Sequence, residues 1–225
     1  MSVLNRPKRA ASTALPPHMG RRGIDPEQVL VLQRIPFSSY VAISDAIGDQ
    51  PRTRCTYEGG TLEIMTTFNL HELYKDRISR FLSQVLDEVG CDYVCGGSQT
   101  FRDGELERGF EPDTCFWTVN WEKVRAPFFL WHPDHQPPPD LVVEIEVTHS
   151  ALDKLKLLAA CKTPEVWRFD GENLSIHTSN ATGESDLATA SPTFPLMPMD
   201  EALPFIGLDG EREGRAFNRA VRAWV

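Results

Sequence analysis

No apolar run in the chain approaches the roughly 18 to 20 residues that a spanning helix needs; apolar segments such as Leu141 to Val143 are short and closely followed by carboxylates. A membrane span is excluded. The N-terminal stretch MSVLNRPKRAASTALPP is basic but lacks the continuous apolar core of a secretory signal, so a cytoplasmic location is expected. Cysteine is scarce. Cys55, Cys91, Cys95, Cys115 and Cys161 are odd in number and include no Cys-x-x-Cys pair, which argues against a disulfide framework. Cys91 and Cys95 have no matching second half downstream, which counts against a zinc site. There is no internal repeat and no glycine-rich phosphate loop of either standard form, so solenoid arrays and the common nucleotide-binding loops drop out. Basic residues are also in deficit, 23 against 32 acidic ones.

What is present suffices for a core. At 225 residues, 41% hydrophobic and 24% charged, the chain is globular rather than disordered throughout, and its length suits one medium domain with an appendage. The charge is divided unevenly. Residues 1–24 hold Arg6, Lys8, Arg9, Arg21 and Arg22 and no acid, so with a total of −9 the rest of the chain carries −14. A disordered basic arm over 1–24 followed by a single domain over 25–225 is the expected organisation.

Asp25-Pro-Glu, followed by Val29, Leu30 and Leu32, has the form of a capped helix start and predicts a short helix there. Arg54 to Tyr57 and Leu62 to Thr66 around Gly59-Gly60 predict a hairpin. From Leu70 to Val89 apolar residues recur every three or four positions, a helix ended by Gly90. Strands are expected at Tyr93 to Cys95, Thr114 to Val119 and Leu141 to Val147, with a proline-rich loop at His132 to Pro139. Ser150-Ala-Leu-Asp153 resembles a capping box opening a helix to about Cys161. Glu165 to Phe169 and Asn173 to His177 flank the turn signal Asp170-Gly171, and Ala181 to Ser191 reads as loop. A C-terminal helix is expected to carry Phe217, Val221 and Trp224 on one stripe and Arg212, Arg215, Arg219 and Arg222 on another, a face suited to solvent or to DNA.

The chemistry concentrates in Asp140-Leu-Val-Val-Glu144-Ile-Glu146-Val147. A strand places Glu144 and Glu146 on one face and Val143, Ile145 and Val147 on the other. Buried side by side, two carboxylates need a cation or a shared proton; on an edge strand with one wet face they would merely be solvated. Glu111-Pro-Asp113 supplies a further acid at the start of another strand. If those strands are neighbours, Asp113 and Glu144 suit Mg²⁺, which binds through one or two carboxylates plus water, and metal-assisted phosphodiester hydrolysis becomes the candidate reaction. Carboxylates at i and i+2 leave little room for a glycosidic bond between them, which weighs against a sugar hydrolase.

These residues resemble the Uma-two family of restriction-endonuclease-like proteins, within the PD-(D/E)xK nuclease superfamily, over Arg54 to Val225. The marks are Tyr57-Glu58-Gly-Gly-Thr-Leu-Glu63, His71-Glu72, Phe101-Arg102, Glu107-Arg108-Gly-Phe-Glu-Pro-Asp113, Pro139-Asp140-Leu-Val-Val-Glu144-Ile-Glu146, Pro164-Glu165-Val-Trp167-Arg168 and Arg222-Ala-Trp224-Val. The resemblance implies an α/β (α+β) restriction-endonuclease-like core, a mixed central β-sheet flanked by α-helices, dependence on Mg²⁺ or Mn²⁺, a DNA substrate and a homodimer. It implies Asp113 and Glu144 as the metal-binding acids. The usual lysine falls on Glu146, a departure that makes Glu146 a third oxygen ligand or a water-orienting group, and Lys154 on the following helix its substitute. Glu63 is implied to orient or ligate metal, and His71 to contact phosphate or to transfer protons near an unperturbed pKa. The same departure supports a second reading, a nuclease fold that has lost catalysis and serves as a binding or assembly module.

Overall fold

The computed structural model describes residues 27–50, 52–124, 131–147, 150–207 and 214–225. The expected basic arm and Arg212 lie outside them. In chain order the elements are β1 (Gln28–Leu32), α1 (Phe37–Ile47), β2 (Thr53–Glu58), β3 (Thr61–Thr66), α2 (Asn69–Glu88), β4 (Val94–Cys95), β5 (Phe101–Asp103), β6 (Arg108–Phe110) and β7 (Thr114–Trp117). They continue with α3 (Trp121–Val124), β8 (Leu141–Ile145), α4 (Lys154–Ala160), β9 (Glu165–Phe169), β10 (Leu174–Ser179), β11 (Ser185–Ala188), α5 (Met199–Ile206) and α6 (Gly214–Trp224). No helix among the described residues is long and apolar enough to cross a membrane.

The strands form two sheets. The first, in the order β1-β3-β2-β6-β5, is antiparallel throughout. The second runs β11-β10-β9-β8-β7-β4 and is mixed, because β8 and β9 alone pair parallel. The α/β class with a mixed sheet flanked by helices is therefore observed, with a second sheet laid beside it.

Local chemistry explains most elements. Gly59 and Gly60 both take positive φ, 55° and 83°, as a two-residue hairpin turn requires. The periodic stripe of α2 buries Ile78, Phe81, Leu82, Val85 and Leu86, and Gly90, at φ 71°, follows its last turn. Three expectations need correction. Residues 28–32 are strand, not helix: β-branched Val29 and Val31 favour extended backbone, and antiparallel pairing with the distant β3 gives the segment a ladder partner. Helix α4 starts at Lys154 rather than at a Ser150 box, because Asp153 is the N-cap and accepts from the Lys156 amide. Within the expected loop 181–191, Ser185 to Ala188 extend the second sheet by pairing with β10.

β8 is flanked by β7 and β9, so the reading of its acids as residues of a wet edge strand is also overturned. Its alternation divides two environments. Leu141, Val143 and Ile145 join Phe116, Trp167 and Phe169 in the core packed with α2, α5 and α6. Val142 joins Cys115, Trp117 and Val166 in the core packed with Leu157 and Leu158 of α4. Glu144, of the same parity as Val142, belongs to this second face.

Candidate active site

The antiparallel register pairs Thr114 with Val143, so Asp113, one residue before β7, comes beside Glu144. Both are buried, at 1% and 5% exposure. The first sheet faces them with Arg54 and Glu63, which alternate with the apolar Cys55, Tyr57 and Leu62 packed toward α1. The first turn of α2 contributes His71 and the first residue of α4 contributes Lys154.

Each carboxylate has its own partners. Asp113 Oδ1 accepts from His71 Nε2 at 2.7 Å and Oδ2 accepts from the Ile145 amide at 2.7 Å, while Arg54 Nε lies 3.9 Å from Oδ1. His71 Nδ1 contacts Glu27 Oε1 at 2.6 Å, which makes a buried Glu27–His71–Asp113 chain. Lys154 Nζ donates to Glu144 Oε2 at 2.7 Å. Glu63 accepts from the Ser150 hydroxyl and from the Ala151 amide at 2.6 Å, tying the first sheet to the segment that leads into α4.

The electrostatics follow from burial and proximity. Burial opposes charge on Asp113, yet the His71 imidazolium, with Lys154 and the Ile145 amide, holds its carboxyl below the ordinary value. Burial likewise opposes charge on His71, and the Asp113 and Glu27 carboxylates overcome it, raising the imidazole to about 9. His71 is therefore cationic at neutral pH and 1% exposed, unlike the expected near-neutral proton carrier. Burial pushes Glu144 up to about 7, with Lys154 opposing and Asp113 reinforcing the shift. Burial opposes the charge of Lys154, which Glu144 and Asp113 nevertheless hold above the ordinary lysine value.

Glu146 shares the cavity of Glu144 and Lys154. It follows the last residue of β8 and pairs with Arg168 of β9. Among the described residues no group of three His, Cys, Asp or Glu side chains is arranged to hold an ion, so Asp113, Glu144 and Glu146 do not converge as a three-acid site. Asp113 and Glu144 do fit Mg²⁺ or Mn²⁺ as a pair: they are hard-oxygen donors on adjacent strands, and a cation offsets both the burial that chiefly raises the Glu144 pKa and the Asp113 repulsion that adds to it.

A cavity of about 340 Å³ reaches Glu144 and Lys154 but neither Asp113 nor His71; Glu146, Ser150, Asp153 and Arg168 also line it, with Ala151, Leu152 and Leu155 completing its wall. Two others of similar size, beside Trp131 and beside Trp224, contain none of the expected site residues. Lys156, the alternative to Lys154, is exposed and does not line the cavity. The sequence reading had not singled out Glu27 or Arg54, nor given Arg168 a role. A charged Arg54 recurring at the strand period opposite an apolar face was the available signal; nothing local marked Glu27, which meets His71 across 44 residues.

A family profile described as "Uma2: Putative restriction endonuclease" matches residues 37–209. Among solved structures, a "putative nuclease belonging to DUF820" from Anabaena variabilis superposes with a TM-score of 0.52 at 13% identity, covering 76% of this chain and 99% of that one. That likeness shows a shared nuclease-like fold. No curated protein matches the chain.

Proposed function

Because the chain belongs to the Uma2 restriction-endonuclease family, we propose that it is a metal-dependent DNA endonuclease whose site is the Asp113–Glu144–Lys154 group. The observation that carries this reading is the placement of two buried carboxylates on neighbouring strands, one of them, Glu144, lining a cavity together with a lysine 2.7 Å away. Asp113 and Glu144 would hold Mg²⁺ or Mn²⁺. When bound, the ion activates water and neutralises charge developing on the phosphate oxygens.

The protein's own groups have separable tasks. His71 and the Ile145 amide fix both oxygens of Asp113, and Glu27 in turn orients His71. Lys154 holds Glu144 and presents positive charge toward the cavity, where it stabilises the transition-state phosphate. Glu63 acts by setting the Ser150-Ala151 segment that delivers Lys154, a positioning role in place of metal ligation. Residues 25–225 act as one nuclease unit, and DNA engagement by an acidic body calls on its local basic groups, on the arm at 1–24 and on pairing into a homodimer.

Cleavage of supercoiled plasmid in Mg²⁺ or Mn²⁺ tests this. The parent should nick or linearise DNA, the chelated control should not, and Asp113→Asn should lose cleavage while remaining folded. A variant that cuts at the parent's rate under identical magnesium and salt contradicts the assignment. The second reading, a catalytically silent nuclease-fold module, is favoured by Glu146 in the usual lysine position and by the net charge of −9. It is supported if the parent shows neither metal-dependent cleavage nor site-specific metal binding.

A further inference from the structure

We infer that Arg168 is a phosphate-binding residue of this site and that Glu146 holds it in the free protein, standing where a nucleic-acid phosphate sits in the complex. The inference rests on the nuclease reading and deepens it.

Parallel pairing of β8 and β9 sets Arg168 opposite Glu144. Alternation along β9 sends Trp167 and Phe169 into the α2 core and Val166 toward α4, so Arg168 shares the face of Val166 and Glu144. It lines the same cavity as Lys154. The two cations differ in availability. Lys154 is 15% exposed and held against a buried Glu144, whereas Arg168 is 37% exposed and paired with Glu146, itself 22% exposed. Besides Glu144 opposite it, the charge of Arg168 reaches Asp170 and His177, helping to hold both groups below their ordinary pKa values.

The guanidinium meets Glu146 through Nε, a buried atom that makes no hydrogen bond among the described residues, while the rest of both side chains is partly exposed, so water and salt compete for the pair. A guanidinium binds phosphate as readily as carboxylate, with two parallel N–H groups, so an incoming backbone phosphate can replace Glu146. Glu146 then turns toward water. On this account the acid in the usual lysine position is a competitor for substrate, and removing it should help binding.

The experiment is anisotropy of a fluorescent DNA duplex with the full chain, in EDTA so that nothing is cut, across a salt series. Plasmid cleavage by the parent is assayed in parallel. Arg168→Ala should weaken binding about tenfold and lower the slope of log K against log salt by about one. Glu146→Gln should tighten binding severalfold, and the double variant should resemble Arg168→Ala alone. Arg168→Lys, which keeps the charge without the planar fork, should fall between, and thermal unfolding checks that each variant is folded. If the parent cuts and binds DNA but both single variants bind as it does, or Glu146→Gln weakens binding, the Arg168 assignment is overturned and the nuclease reading stands. A parent that neither cuts nor binds DNA overturns both.

Discussion

The two faces of the second sheet are made from the same strands by opposite means. Toward α2, α5 and α6, Leu141, Val143, Ile145, Phe116, Trp167 and Phe169 form an apolar layer closed by Phe81, Phe217 and Val221. Toward α4 and the first sheet, Val142, Cys115, Trp117 and Val166 pack on Leu157 and Leu158, and beside that apolar patch the same alternation delivers Asp113, Glu144 and Arg168, whose charge is matched by His71, Arg54, Lys154 and Glu146. The first face gains stability from area removed from water and from close packing. Charge burial on the second costs free energy that pairing only offsets, and it concentrates electrostatic potential where water can still enter. One face is held mainly by apolar packing, while the other adds reactive groups in fixed positions to an apolar patch of its own.

Substitutions should separate these two kinds of cohesion. The largest expected loss of stability is on the apolar face. Trp167→Ala should cost about 3 to 5 kcal/mol in urea unfolding, because it opens a cavity and strips Glu165 of the indole donor 2.6 Å away. On the charged face, Asp113→Ala should cost about 3 kcal/mol, since it leaves His71 and Arg54 without their shared buried carboxylate. If this variant is as stable as the parent, the charged face is not held by pairing and the contrast fails.

The charged face makes a distinct contribution to the pH dependence. His71 is raised from 6.5 to about 9, so its contribution is complete below pH 6.5 and is lost as pH rises through 9, an effect of about 3 kcal/mol. Glu144, raised from 4.5 to about 7, acts in the same direction at lower pH, its contribution fading as pH rises through 7. Asp113 has the opposite sign and supports the fold until pH falls below its ordinary carboxylate range. Urea midpoints should therefore fall between pH 7 and 10 in the parent and flatten in His71→Gln; a parent curve that is flat over that range contradicts the assigned imidazolium. The smallest effect belongs to the surface. Arg222→Ala, which removes an exposed partner of Glu88, should change stability by less than about 1 kcal/mol.

The same contrast marks what the sequence disclosed. Periodicity exposed α2, and alternation placed Glu144 and Glu146 on one side of the β8 segment and Val143 and Ile145 on the other, because burial on one face leaves a repeating pattern. Helix α1 was missed: it begins after Pro36 without a side-chain cap, and its serines dilute the apolar stripe. β1 was mistaken for helix since Asp25-Pro-Glu is a strong local signal, while the partner that makes residues 28–32 a strand is the distant β3. The site divides likewise. Asp113 and Glu144 could be singled out because carboxylates at the edge of or inside a short apolar strand pattern are local features, and Lys154 through the family resemblance. The Glu27–His71 contact, the Arg54 approach to Asp113 and the capture of Glu146 by Arg168 each depend on how separate elements pack, and leave little trace in any short window.

Calorimetric titration of Mn²⁺ into the parent, Asp113→Ala and Glu144→Ala tests the central claim most directly. The expected result is saturable binding to the parent that disappears in both variants, each still folded by circular dichroism. Binding retained in both folded variants, or no binding to the parent, would contradict the assignment of Asp113 and Glu144 as a shared metal site.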